Sequence, residues 1–138
     1  MHSICIVTRC FDENGRGDRQ EYAFRGHVTA EGDEVRLTWE SGEGAAPKGT
    51  LSFRQSDPLT LCLRQDGGLL RDVRFSSGQE ERGQCEIEGA GSIPFSVCTR
   101  SVENRLTTAG GRIRLDYDAL VGGVRQRTVM DITVTKEP

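Results

Sequence analysis

Lysine is almost missing from this chain: Lys48 and Lys136 stand against 16 arginines, and the 18 cations fall short of the 21 acids. The resulting charge of −3 leaves no cationic surplus to release counterions from phosphates, which argues against bulk binding of nucleic acid. The arginine skew reads as genomic base composition rather than a phosphate site. Apolar residues reach only 35%, and no run approaches the roughly 18 residues needed to span a bilayer as a helix. No basic n-region, apolar h-region or small-residue cleavage site follows Met1. The expectation is a soluble cytoplasmic protein with no membrane partner.

Metal-site and disulfide signatures are also lacking. Histidine occurs twice, as His2 and His27, and the five cysteines (Cys5, Cys10, Cys62, Cys85, Cys98) include no CxxC pair. Zinc sites need close Cys/His pairs, and a disulfide framework needs an even count and an export signal. The cysteines are therefore expected to be free, mostly buried thiols that fill space as small apolar groups. No metal or cofactor is expected.

Glycine, by contrast, is abundant at 17 of 138 residues. Each interior glycine costs a helix about 1 kcal/mol relative to alanine, which weighs against a large helical bundle. The apolar pattern has period two almost throughout, the signature of half-buried strands. It runs through Ile4/Ile6/Thr8, Tyr22/Phe24/Gly26/Val28, Val35/Leu37/Trp39, Leu51/Phe53, Leu59/Leu61/Leu63 and Val73/Phe75. It resumes in Cys85/Ile87, Ile93/Phe95/Val97/Thr99, Ile113/Leu115/Tyr117 and Met130/Ile132/Val134. Turn signals separate them: Asn14-Gly15, Glu31-Gly32-Asp33, Ser56-Asp57-Pro58, Asp66-Gly67-Gly68, Gly89-Ala90-Gly91 and Gly122-Gly123. Gly42 to Gly49 is the most linker-like stretch, and Val102 to Ala109 has room for one short helical turn. The fold class is all-β: one domain over residues 1–138, an antiparallel meander of about eight to ten strands closing into a barrel to remove its edges.

The last two strands permit a register prediction. A two-residue loop at Gly122-Gly123 makes paired residue numbers sum to 245. Ile113/Ile132, Leu115/Met130, Tyr117/Thr128 and Ala119/Gln126 then face inward, and Asp118/Arg127 and Arg114/Asp131 face outward as opposite charges. A one-residue slip would oppose apolar to charged positions throughout.

Arg74-Phe75-Ser76-Ser77-Gly78, Thr99-Arg100-Ser101, Gly111-Arg112-Ile113-Arg114-Leu115-Asp116-Tyr117-Asp118 and Met130-Asp131-Ile132-Thr133-Val134, in this order, resemble the YwiB-like family. Upstream, Tyr22-Ala23-Phe24, Gly26 and Val35-x-Leu37 fit as well. That family is a group of small, uncharacterised bacterial cytosolic proteins described as a domain of unknown function. The resemblance covers about Tyr22 to Val134, with a departure in the glycine-rich loop Gly42–Gly49. It implies a calycin-like antiparallel barrel, the shape shared with lipocalins, and carries no activity with it.

Several constellations invite a functional reading and a plainer one. Asp116 and Asp118 share a face, but it is the outward face, where arginines stand opposite; a solvated charge ladder accounts for them. Asp12-x-Asn14-Gly15-x-Gly17-Asp18 has the flavour of a calcium loop but lacks the closing bidentate glutamate, which leaves a polar hairpin loop. Arg16-Gly17-Asp18 reads as chance. His27 falls on a polar strand face with no nucleophile elbow to serve. Cys62 and Cys98 have Arg64 and Arg100 two residues away, a weak case for an activated thiolate. The aromatics follow the apolar faces, away from the arginines, and so do not form a wet stacking platform.

The barrel interior remains. Its inward polar residues are Thr99, Ser101, Tyr117 and Thr128, joined by Arg71 on one of two parities that Leu69-Leu70 leaves open. A buried arginine needs an anion or carboxylate to offset its desolvation, whereas at the barrel rim Arg71 simply reaches water. The leading expectation is non-catalytic binding of a small, partly apolar molecule. Tyr22, Trp39, Phe75 and Tyr117 would supply apolar wall, and Thr99 and Arg71 polar contacts. No catalytic residues are assigned. The alternative is a protein-interaction or structural module that uses its outer face or pairs with itself as a homodimer; a hydrolase or isomerase at the barrel mouth stands third.

Overall fold

The computed structural model describes residues 1–40, 49–65, 72–87, 89 and 91–137. Arg71, the Gly42–Gly49 loop and the Asp66-Gly67-Gly68 turn fall wholly or mainly outside them, and so does the side chain of Cys85. Ten strands follow one another, none of the described residues being helical: β1 (His2–Phe11), β2 (Gly17–Glu31), β3 (Glu34–Glu40), β4 (Gly49–Arg54), β5 (Asp57–Gln65), β6 (Asp72–Ser76), β7 (Glu80–Ile87), β8 (Gly91–Asn104), β9 (Gly110–Val121) and β10 (Val124–Lys136).

All pairings are antiparallel, and the spatial order is β6-β5-β4-β3-β2-β1-β10-β9-β8-β7. Strands adjacent in sequence are adjacent in space except β6 and β7, while the first and last strands pair along ten residue pairs, from His2/Lys136 to Phe11/Arg127. The sheet is thus a ring with its seam between β6 and β7. Backbone bonds at the 77–79 turn tie that seam: Gly78 N–H donates to the Thr99 carbonyl at 2.9 Å, and Thr99 N–H to the Gln79 carbonyl at 3.1 Å. Further along, Asn104 Nδ2 donates to the Pro58 carbonyl at 2.9 Å. The result is a nearly closed barrel, consistent with the calycin-like shape, and closure removes most of the unpaired edge a ten-stranded meander would expose.

The β9–β10 register follows the sum of 245 throughout, from Val124/Val121 to Thr135/Gly110. Gly122 and Gly123 both take positive φ, 57° and 83°, as the two-residue loop with matching twist requires. Side-chain pairing on the outer face differs from the directly opposite matches. Arg127 binds Asp116 rather than Asp118 (Nε to Oδ1 3.0 Å, Nη2 to Oδ2 2.7 Å), Asp118 accepts from Arg100 Nε at 2.7 Å, and Arg112, not Arg114, binds Asp131 at 2.7 Å. Twist brings diagonal neighbours within reach of a long guanidinium arm.

The core is built from the inward rows of β1–β6 and β8–β10, with Leu37, Leu61, Phe75 and Ile113 fully buried. Four expectations are corrected. Val102 to Ala109 holds no helical turn: β8 runs on to Asn104, whose Oδ1 accepts from Leu106 N–H at 3.0 Å, and a Thr107/Gly110 bridge closes the loop. Ser101 is exposed, because a bulge between Thr99 and Ser101 shifts the face and puts Val102 inside instead. Leu59 is 48% exposed; a register shift between Ser52 and Arg54 takes the start of β5 out of the inward row. The described cysteines are not mostly buried: Cys5 and Cys10 are half-buried, and Cys62 and Cys98 lie on the outer face.

Candidate functional site at the barrel mouth

Exposure along the inward rows is graded. On β1, Ile4 and Ile6 are buried, whereas Thr8 and Cys10 are half-buried. On β2 the series Phe24, Tyr22, Gln20 passes from buried through half-buried to exposed, and on β10 Ile132 is buried while Met130 is half-buried. Exposure along β1 and β2 therefore rises toward the end that carries the Asp12–Arg16 turn, while Thr128, Tyr117 and Thr99 on the facing strands stay buried. The same residues change chemistry along that path, from branched aliphatic to hydroxyl, thiol and amide.

Polar groups converge behind this end. Thr128, buried, stands opposite both Cys10 and Tyr117. Cys10 Sγ is 3.7 Å from Thr128 Oγ1. Tyr117 is only 7% exposed, and burial pushes its phenol up to about 12, against a smaller opposing pull from Thr128. Its ring packs on Phe75 with centroids 4.8 Å apart, and Thr99 lies directly opposite it on β8.

The expected site residues thus fall into two groups. Tyr117, Thr99 and Phe75 meet beside the seam. Tyr22 and Trp39 are linked instead through Phe24, at 6.1 and 6.3 Å between ring centroids. Trp39 is fully inside, its indole filling the space that a side chain at Gly49 would need. Arg71 lies outside the described residues. Thr8, Cys10, Thr128 and Met130 complete the mouth. Periodicity already placed Thr128 and Met130 inward; only the exposure gradient, which depends on where the barrel ends, marks them as rim.

The outer face follows the plainer readings. Asp116 is held below the usual carboxylate range by Arg127, chiefly through their hydrogen bond. Asp12 spends Oδ1 on the backbone N–H groups of Asn14 and Arg16, both at 2.9 Å, which makes it a hairpin cap. His27 is exposed. Arg64 and Arg100, the cations proposed to flank Cys62 and Cys98, face Asp72 and Asp118. Among the described residues no group of three His, Cys, Asp or Glu is placed to hold a metal.

Two features escaped the sequence. A groove of about 710 Å³ crosses the outer face of β4 and β5, floored by Ser52, Thr60 and Cys62 and flanked by Arg54, Arg74 and Glu34. His2 is buried, with Nε2 donating to the Thr108 carbonyl at 2.9 Å and Nδ1 unpartnered. Neither announces itself in a pattern of alternating polarity, since one is shaped by a bulge and the other by a loop more than a hundred residues away.

Comparison with known proteins agrees with this architecture. The family model for a domain of unknown function, DUF1934, matches residues 4–130. The crystal structure of the YwiB protein from Bacillus subtilis superposes with a TM-score of 0.75 at 16% identity, over 98% of this chain and 92% of that one. At that identity the likeness speaks for the fold. No functionally curated protein matches the sequence.

Proposed function

The chain belongs to the DUF1934 family, and from that premise we propose that it is a non-catalytic binder of a small, partly apolar molecule at the open end of its barrel. The observation that carries this reading is the gradient from an aliphatic interior to a half-exposed rim of Thr8, Cys10, Tyr22 and Met130 above the Tyr117–Thr128 pair. Ligand sites are mostly apolar surfaces with a few convergent polar groups, and the mouth has that composition. The larger outer groove, with guanidinium and carboxylate walls, does not. Tyr22 forms the accessible aromatic wall, with Phe75 and Thr99 behind Tyr117 as its support. Trp39 acts at a distance, as packing beneath Phe24.

Native mass spectrometry of the full chain purified from its own host tests this. The expected result is a reproducible small-molecule adduct that disappears in Met130→Trp, which fills the opening. Unliganded protein in every preparation would overturn it. A second reading, association with a protein or a second copy, draws on a different observation: Val124 and Leu120 are exposed close to the half-buried Phe95 and Val121. Co-purification of a polypeptide, or a dimer mass lost in Val124→Glu, would favour that reading instead.

A further inference from the structure

Resting on the proposed mouth site, the chemistry of its wall narrows the class of occupant. Below the rim, Thr8, Cys10, Thr99, Tyr117 and Thr128, which the described strands turn inward, are neutral. Most formal charges on the same strands fall on the other face, where Arg127 is taken by Asp116, Arg100 by Asp118 and Arg112 by Asp131. Among the described residues the inward-parity charges nearest the site are acidic. Asp18 stands opposite Cys10 at the exposed rim, and Glu81, half-buried, stands opposite Val97. Among the described strand residues the one inward-parity cation, Lys136, pairs with His2 at the opposite end of β1.

From this arrangement we infer that the mouth takes an uncharged amphiphile that presents a hydroxyl or carbonyl oxygen to the Cys10–Thr128–Tyr117 set, and rejects carboxylates. A carboxylate entering here would shed its water without meeting a cation among the described residues, and an unpaired carboxylate is costly to desolvate. It would also pass Asp18 on the way in. A hydroxyl loses little, because Thr128 and Tyr117 each carry both a donor and an acceptor. Burial keeps the Tyr117 phenol protonated at any physiological pH, so the wall does not acquire charge of its own.

Titration of the 15N-labelled full chain with three probes of equal chain length, octan-1-ol, octanoate and octylammonium, tests the inference. The amides of Thr8, Cys10, Tyr117 and Thr128 report occupancy. Octanol is expected to shift them with an affinity at least about tenfold above octanoate. Cys10→Ser should preserve octanol binding, and Thr128→Val should weaken it by roughly five- to tenfold. Octanoate or octylammonium binding as tightly as octanol at these amides would overturn the neutral-ligand inference while leaving the binding reading intact. If no probe moves these amides, both fall.

Discussion

Alkaline titration of Tyr117 offers the sharpest test of how deeply its phenol is buried beneath the rim. The chain has two tyrosines, so Tyr22→Phe leaves Tyr117 as the only tyrosinate chromophore. In the unfolded chain a tyrosine ionises near 10; in the fold, burial raises Tyr117 to about 12. The folded state therefore holds its proton over a range in which the unfolded state has released it. The stabilisation is complete below pH 10 and is lost as pH rises toward and through 12. Two units correspond to roughly 3 kcal/mol in full, of which about 1.4 kcal/mol is gone by pH 11. For a urea slope of about 1–3 kcal/mol per molar, that moves the unfolding midpoint by roughly 0.5–1.4 M between pH 9 and pH 11. The control is Tyr22→Phe/Tyr117→Phe, which keeps every other titrating group and should lack this part of the decline. Tyrosinate absorbance of the single variant should appear only as the protein unfolds. A midpoint near pH 10 with the fold intact would refute the argument, because it would mean that water reaches the phenol.

Three other perturbations probe separate parts of the barrel. Gly26→Ala would drive a Cβ into the Thr38 carbonyl oxygen and to 2.7 Å from Ile4 Cδ1; a loss of more than about 2 kcal/mol is expected in chemical denaturation, and a change below 0.5 kcal/mol would contradict the close β2–β3 approach. Phe75→Ala removes a fully buried ring and should cost about 3–5 kcal/mol. Hydrogen exchange should then quicken first at Gly78 and Thr99, whose bonds tie the seam, and uniform exchange across the sheet would argue against a weak line there. Asp116→Asn should cost about 1 kcal/mol at neutral pH. Because the native carboxyl is held below its ordinary value, the wild-type advantage exists above the unfolded carboxylate range and is lost as pH falls through the folded one. Equal acid unfolding of the two proteins, with the gap unchanged from pH 7 to pH 2, would sink the ion-pair account.

Much of this architecture is legible in the chain because side-chain alternation and turn chemistry point the same way. Register at β9–β10 is over-determined: the inward aliphatic pairs, the outward opposite charges and two glycines at positive φ all agree. The pattern fails where the backbone adds or drops a step. At Thr99–Ser101 a bulge inverts the parity that alternation assumes, so Ser101 emerges and Val102 goes in. At Ser52–Arg54 another irregularity strands Leu59 in solvent. The ion pairs depart from the directly opposite residues for a different reason: a register of opposite residues is flat, and the sheet is twisted. For the site, alternation says which residues turn inward but not how far each lies from an end of the barrel. That is why Trp39, deep under Phe24, and Tyr22, at the rim, look equivalent in sequence.

Because the ring is interrupted in mid-chain and β1 is clasped by β10, synthesis cannot finish the fold progressively. As the polypeptide emerges, β1 through β6 assemble into a half-shell whose β1 side stays a bare hydrogen-bonding margin until β10, the last of the ten strands, leaves the ribosome. A nascent chain stalled before Val124 would display that margin together with the greasy interior of Ile4, Ile6 and Phe24, a ready template for intermolecular stacking. Chains that end before Val124 should therefore be far more aggregation-prone than chains that include β10.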